Sequence, residues 1–168
     1  MNLMQQKIFL NTSMSQKPLK KFKVDESFEP CPVMDGNELC PNGIFVFNIT
    51  KMKEFINSRP DLFVPEDIDV KGKYSYFISV NEKHIPNVEL SEPVILAEIA
   101  PNRFNLIDGR HRMEKARRMG IEKIKAYKVN AIYLPDFIVI KKGYLAFVDY
   151  WNNKLKTYNK YLIKIGKK

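Results

Sequence analysis

Apolar positions follow two different periods along this chain, and the two periods separate strands from helices. Ile44-Phe-Val-Phe47, Val94-Ile-Leu-Ala-Glu-Ile99, Phe104-Asn-Leu-Ile107 and Ile124 to Val129 are short β-branched or aromatic runs bounded by turn formers, the pattern of strands. The second strand is expected over Glu92 to Ile99, with Pro93 near its start, where a strand tolerates a missing donor. Ala100-Pro-Asn-Arg103 joins the second run to the third, which predicts a hairpin. Lys73 to Val80 alternates, with Tyr74, Tyr76, Ile78 and Val80 on one face, and reads as a further strand.

Three stretches carry the helical period. Thr50 suits an N-cap, Met52, Phe55 and Ile56 form one face through about Ser58, and Pro60 ends the helix. A second helix is predicted from Gly109 to Met119, with Met113, Ala116 and Met119 toward the core and Gly120 just past its end. Near the C-terminus, Tyr144, Val148, Trp151, Leu155, Tyr158 and Leu162 step by three or four residues. That period predicts an amphipathic helix from about Tyr144 to Tyr161, against a competing hairpin of Phe137–Ile140 with Tyr144–Val148. Cys31 to Gly43, with two prolines and two glycines, reads as loop, and Asp61 to Gly72 as irregular. Residues 1 to about 30 read as a basic arm with one short element near Lys7 to Leu10. The expected class is α+β: a small mixed β-sheet flanked by helices, with a C-terminal amphipathic helix. The expected divisions are an arm and loop over 1–40, a domain over 41–130, and a basic helical extension over 131–168 packed on it.

Charge narrows the partners. The 28 Lys and Arg against 19 Asp and Glu give a net charge of +9, a surface that attracts nucleic acid, nucleotides or anionic lipid. From Lys141 to Lys168 eight lysines face a single aspartate, with six aromatic residues interleaved. Lys154, Lys156, Lys160 and Lys164 are therefore candidate nucleic-acid contacts. No apolar run nears the roughly 20 residues of a membrane span, and Gln5, Gln6 and Lys7 make Met1–Leu10 a poor signal peptide. A cytoplasmic protein without a membrane partner is expected. Cys31 and Cys40 are the only cysteines, and their spacing from each other, and that of His84 from His111, fits no zinc pattern.

The chemistry concentrates in Asp108-Gly109-Arg110-His111-Arg112. A strand runs into Gly109, which permits a tight turn or close backbone approach, and then into a basic helix. The first amides of a helix lack intrahelical partners and sit at its positive end, so they favour anions. Gly109, Arg110, His111 and Arg112 are thus the candidate phosphate ligands. Arg112 can bridge two phosphate oxygens with parallel hydrogen bonds. His111 is a candidate acid or base near neutral pH. Asp108 is a candidate catalytic carboxylate and Mg2+ ligand, or else a helix cap. Glu92 and Glu98 border the same hairpin.

Glu92-Pro-Val-Ile95, the run Ile107-Asp-Gly-Arg-His-Arg112, then Ala116-Arg-Arg-Met-Gly120 and a closing strand together resemble the ParB/sulfiredoxin superfamily. The resemblance is tight over about 40 residues and loose over 44–130. It implies a nucleotide-phosphate site at the helix start. ParB-like domains carry Gly, an acid and two arginines here, and sulfiredoxins carry Gly-Cys-His-Arg. Asp108, Gly109, His111 and Arg112 match best the related ADP-dependent free serine kinases. Arg110 stands where sulfiredoxins have their cysteine and ParB-like domains their acid, so neither reaction carries over. The expectation is a nucleotide-binding ParB-like domain taking a nucleoside di- or triphosphate with Mg2+, as a phosphotransferase or nucleotide hydrolase. The alternative is a DNA-binding or nuclease-type module of a plasmid, phage or mobile element.

Overall fold

A computed structural model describes residues 19–72, 74 and 80–166. The element expected near Lys7–Leu10 and most of the strand expected over Lys73–Val80 lie outside them. Two short strands, β1 (Leu39–Asn42) and β2 (Phe45–Asn48), form an antiparallel hairpin that leads into α1 (Ile49–Ser58). A second, four-stranded sheet holds β3 (Glu66–Asp69), β4 (Val94–Ala100), β5 (Arg103–Asp108) and β6 (Lys123–Val129), in the order β3-β6-β4-β5. Helix α2 (Arg110–Arg118) crosses from β5 to β6, and α3 (Lys141–Gly166) closes the chain. Two 3-10 turns, Ile85–Asn87 and Ala131–Phe137, complete the order. The protein is a mixed α+β fold with a long C-terminal helix.

The expected β4–β5 hairpin forms, with Leu96 opposite Leu106 and Ile95 opposite Asp108. The register shifts between Ile95 and Leu96, next to the point where β5 delivers Asp108 to α2. β6 returns parallel to β4, and the crossover through α2 makes that parallel pairing possible. All seven residues of β4 are buried, as expected for a central strand covered on both faces. Ile95, Ala97 and Ile99 enter one core with α1, the Ala131–Phe137 turn and α3. Val94 and Leu96 face the other way, into a smaller core with Met113 and Ala116 of α2. The junction of β5 and α2 therefore sits at the edge of a sheet pinned on both sides.

Several local expectations need correction. The N-cap of α1 is Asn48, whose side-chain oxygen accepts from the Lys51 amide at 3.1 Å. Thr50 instead accepts from the Glu38 amide, at 2.8 Å. Asn48 prevails because it is fully buried, and its amide also donates to Pro32 and Asn37; one side chain caps the helix and holds the preceding loop. The loop expected over Cys31–Gly43 contains β1, and the irregular stretch over 61–72 contains β3, which pairs antiparallel with β6. Both strands are four residues long, too short to show a period. At the other end, helix wins over the hairpin: α3 spans Lys141–Gly166, and Val139 donates to Val46 of β2 instead.

Helix α2 ends where Gly120 adopts a φ of 69°. Ile121 donates to Ala116 and Gly120 to Arg117, the paired bonds of a Schellman end. Met119, expected on the core face, is exposed at the C-cap, and Glu114 is buried. The Glu114 carboxylate accepts from both Arg117 and Arg118 at 2.6–2.9 Å. Those two guanidinium groups push its carboxyl down to about 2. A depressed carboxyl stabilises the fold above its unfolded pKa and loses that contribution as pH falls toward its folded one. The stability difference between wild type and Glu114→Gln is therefore expected to be largest near neutral pH and to shrink from about pH 4.5 downward, measured by urea unfolding along a pH series.

Candidate functional site

Gly109 is the pivot of the site. Its φ of 92° lies in the left-handed region, and a Cβ there would stand 2.5 Å from Val94 Cγ1 and 2.9 Å from Arg112 Nε. The turn thus requires glycine twice, once for the backbone angle and once for space. Gly109 caps α2 without a side-chain bond, and the helical ladder begins with Met113 donating to Gly109. The amides of Arg110, His111 and Arg112 come ahead of that ladder.

These residues open onto a cavity of about 330 Å³ lined by Glu38, Leu39, Cys40 and Pro41 of the β1 region, by Val88, and by Ile107 to Arg112. The structure therefore brings Asp108, Gly109, Arg110, His111 and Arg112 together around one space. It also adds a wall that sequence reasoning missed. Glu38 and Cys40 belong to the stretch read as loop, and no motif singled them out.

The five motif residues have different commitments. Arg112 Nη2 donates to Asp108 Oδ2 at 2.7 Å and Arg112 Nη1 to Glu92 Oε2 at 2.9 Å. The Arg112 and Asp108 side chains are only 12% and 10% exposed, so this pair is nearly desolvated. Asp108 Oδ2 also meets Lys53 Nζ at 3.1 Å, and Lys53 reaches Glu38 at 3.3 Å. Burial works against the Lys53 charge, but Asp108 and Glu38 outweigh it and raise its pKa. A chain of charges, Glu38–Lys53–Asp108–Arg112–Glu92, thus ties β1, α1, β5, α2 and the loop before β4 together. With Asn48 as the cap, Lys53 lies in the second turn of α1, and its role is this bridge.

His111 is held differently. Its Nε2 accepts from the Asn81 amide at 3.0 Å, and its ring meets His84 edge-on at 5.9 Å. Burial, the Arg110 charge and His84 lower its pKa. A histidine that accepts at Nε2 is the neutral form protonated at Nδ1. His111, Lys115 and Arg118 lie on one face of α2, and all three grip the same strap. Lys115 donates to the Pro86 and Val88 carbonyls at 2.8 Å, and Arg118 makes a bidentate pair with Glu82. Val88 at the cavity wall is positioned by this strap.

Arg110 is the exception. Its Nε is buried without a hydrogen-bond partner, as is that of Arg112, but Arg110 differs in that its whole guanidinium makes no hydrogen bond or ion pair among the described residues. It lines the cavity with Cys40 close enough to feel its charge. Burial pushes the Cys40 thiol up against the pull of Arg110. Among the described residues, no group of three or more His, Cys, Asp and Glu side chains is placed to hold a metal ion. Lys154, Lys156, Lys160 and Lys164 lie on α3 and take no part in lining the cavity. No helix among the described residues is long and apolar enough to cross a membrane. Comparisons with family models, with curated proteins and with solved structures find no match to the chain.

Proposed function

We propose that the cavity at the start of α2 binds the phosphate groups of a nucleotide, in a domain of the ParB/sulfiredoxin-like class. Arg110 carries this reading. It is an arginine with a buried, unpartnered Nε at a cavity wall, beside three amides that precede the helical ladder. Leaving a charged donor unpaired away from water is costly, and a phosphate meeting both the guanidinium and the amides removes that cost. The hairpin β4–β5, the Gly109 junction, α2 and the parallel return of β6 agree with the class that the motif resembles.

The reading is of a binding site first. Asp108 already receives Arg112 and Lys53, and His111 already accepts at Nε2. Proton transfer at Asp108 Oδ2 or at His111 Nε2 therefore requires a rearrangement. The same occupancy argues against Asp108 as a protein-built Mg2+ site: two cations already share its Oδ2, and a third would be repelled. Any Mg2+ arriving with a nucleotide is held by the phosphates rather than by this carboxylate, and no step is assigned to it.

Titration calorimetry with ATP, ADP, CTP and GTP tests the proposal, and absence of heat with all four overturns it. Arg110→Ala is expected to weaken binding about tenfold to a hundredfold, the range of a charge-assisted hydrogen bond. Bound nucleotide is also expected to slow alkylation of Cys40 in the cavity wall, with buried Cys31 as the internal reference.

A further inference from the structure

The basic arm and the basic C-terminal helix are far apart in sequence, yet they lie against each other. Asn152 of α3 makes two hydrogen bonds with the Phe22 backbone, donating to its carbonyl and accepting from its amide, each at 2.9 Å. Trp151 Nε1 donates to the Lys20 carbonyl at 3.0 Å. The Phe22 ring turns inward onto Phe147 and Trp151, and Lys20, Lys21 and Lys23 are left exposed. Asn152 and Lys156 are neighbours one helical turn apart, so the arm lysines stand beside the first member of the series Lys156, Lys160, Lys164. Those three lysines repeat every four residues on one ridge, about 6 Å apart along the axis. All are exposed, and none of the six makes an ion pair within the described residues.

Acidic residues near this face are few. Asp149 is the one acid on α3, and it accepts from Asn153. Asp25 and Glu26 follow the arm lysines, and Asp25 is engaged by Ser27. Six exposed lysines without ion pairs make this face strongly positive, and a partner with a row of negative charges is its electrostatic complement.

We infer that Lys20, Lys21 and Lys23 of the arm and Lys156, Lys160 and Lys164 of α3 form one face that binds the phosphate backbone of nucleic acid. The face reads charge rather than base sequence, since backbone contacts carry no sequence information directly. Exposed Leu162, Ile163 and Ile165 occupy only the last turns of α3, whereas the lysines run from the arm along the helix. An electrostatic partner therefore covers more of the face than an apolar one.

The test is fluorescence anisotropy of the full chain with labelled duplex DNA and RNA across a salt series. With about five phosphates neutralised, affinity is expected to fall by two to three orders of magnitude between about 50 and 200 mM salt. Two charge-reversal triples divide the face: Lys20→Glu/Lys21→Glu/Lys23→Glu, and Lys156→Glu/Lys160→Glu/Lys164→Glu. Both substitute exposed side chains, and unchanged circular dichroism and melting show that each variant is folded. Each triple is expected to flatten the salt dependence by about two to three contacts. Wild-type affinity and wild-type salt dependence in the arm triple, with the helix triple impaired, overturn the composite face. No binding by wild type overturns the inference altogether. So does preference for phosphatidylserine-containing vesicles that is lost in Leu162→Ser/Ile163→Ser. Arg110→Ala is expected to leave this binding unchanged, which keeps its outcome separate from that of the nucleotide cavity.

Discussion

Gly109→Ala is expected to lower the unfolding free energy by about 2–4 kcal/mol, the sum of left-handed backbone strain and overpacking against a buried neighbour. Both contributions are visible at this residue. Its φ of 92° excludes an unstrained side chain, and the new Cβ would overlap Val94, which is fully buried in β4. The Arg112 guanidinium is in the same space, and it cannot retreat without loosening its bonds to Asp108 and Glu92. Gly43 provides the control. It also has a positive φ, of 64°, but nothing lies within 4 Å of the position its Cβ would take. Gly43→Ala therefore reports strain alone, about 1–2 kcal/mol, and the excess at Gly109 measures the close packing of the junction. Urea unfolding of both variants decides the matter; equal losses at the two glycines would show that the overlap with Val94 is relieved at no cost.

That junction was legible in the sequence because three local signals coincide there: a β-branched run, a glycine, and a helical period starting at the next residue. Gly120 and the apolar stripe of α3 were legible for the same reason, since each is a local rule. The wall facing the junction was not. β1 is only four residues long, half-exposed and broken by Pro41, and it exists because β2 pairs with it. Its residues and Glu38 just before it reach the cavity only through tertiary packing, so nothing in their own pattern marks Glu38 or Cys40. The division of labour between the arginines was equally hidden. Arg110 and Arg112 look alike in a motif, and both stand there as candidate phosphate ligands. The bonds of Arg112 run to Asp108, four residues back, and to Glu92, twenty residues back; only the fold could show that Glu92 stands there. Met119 failed for another reason: it is the C-cap, where α2 ends, so the helical period no longer applies to it.

Separating the two arginines is the second test with a large expected effect. Arg112→Ala removes a nearly buried guanidinium from between Asp108 and Glu92. Breaking a fully buried pair costs about 3–5 kcal/mol. Lys53 remains to neutralise Asp108, which places the expected loss nearer 2–3 kcal/mol. Asp108→Ala is expected to cost more than Arg112→Ala. It leaves Arg112 with Glu92, whose side chain is 70% exposed, and a 3.5 Å bond to the Pro93 carbonyl, and leaves Lys53 with Glu38. Arg110→Ala breaks no hydrogen bond and removes an unpartnered buried nitrogen, so its stability is expected to stay within about 0.5 kcal/mol of wild type. The three variants, compared by urea unfolding and by nucleotide titration, should therefore separate. Loss of Arg112 or Asp108 destabilises the junction, whereas loss of Arg110 spares the fold and removes the anion contact. A substantial loss of stability in Arg110→Ala would mean that its guanidinium is part of the structural network. The case for a phosphate in the cavity would then lose the one cation of its wall that, among the described residues, makes no hydrogen bond or ion pair.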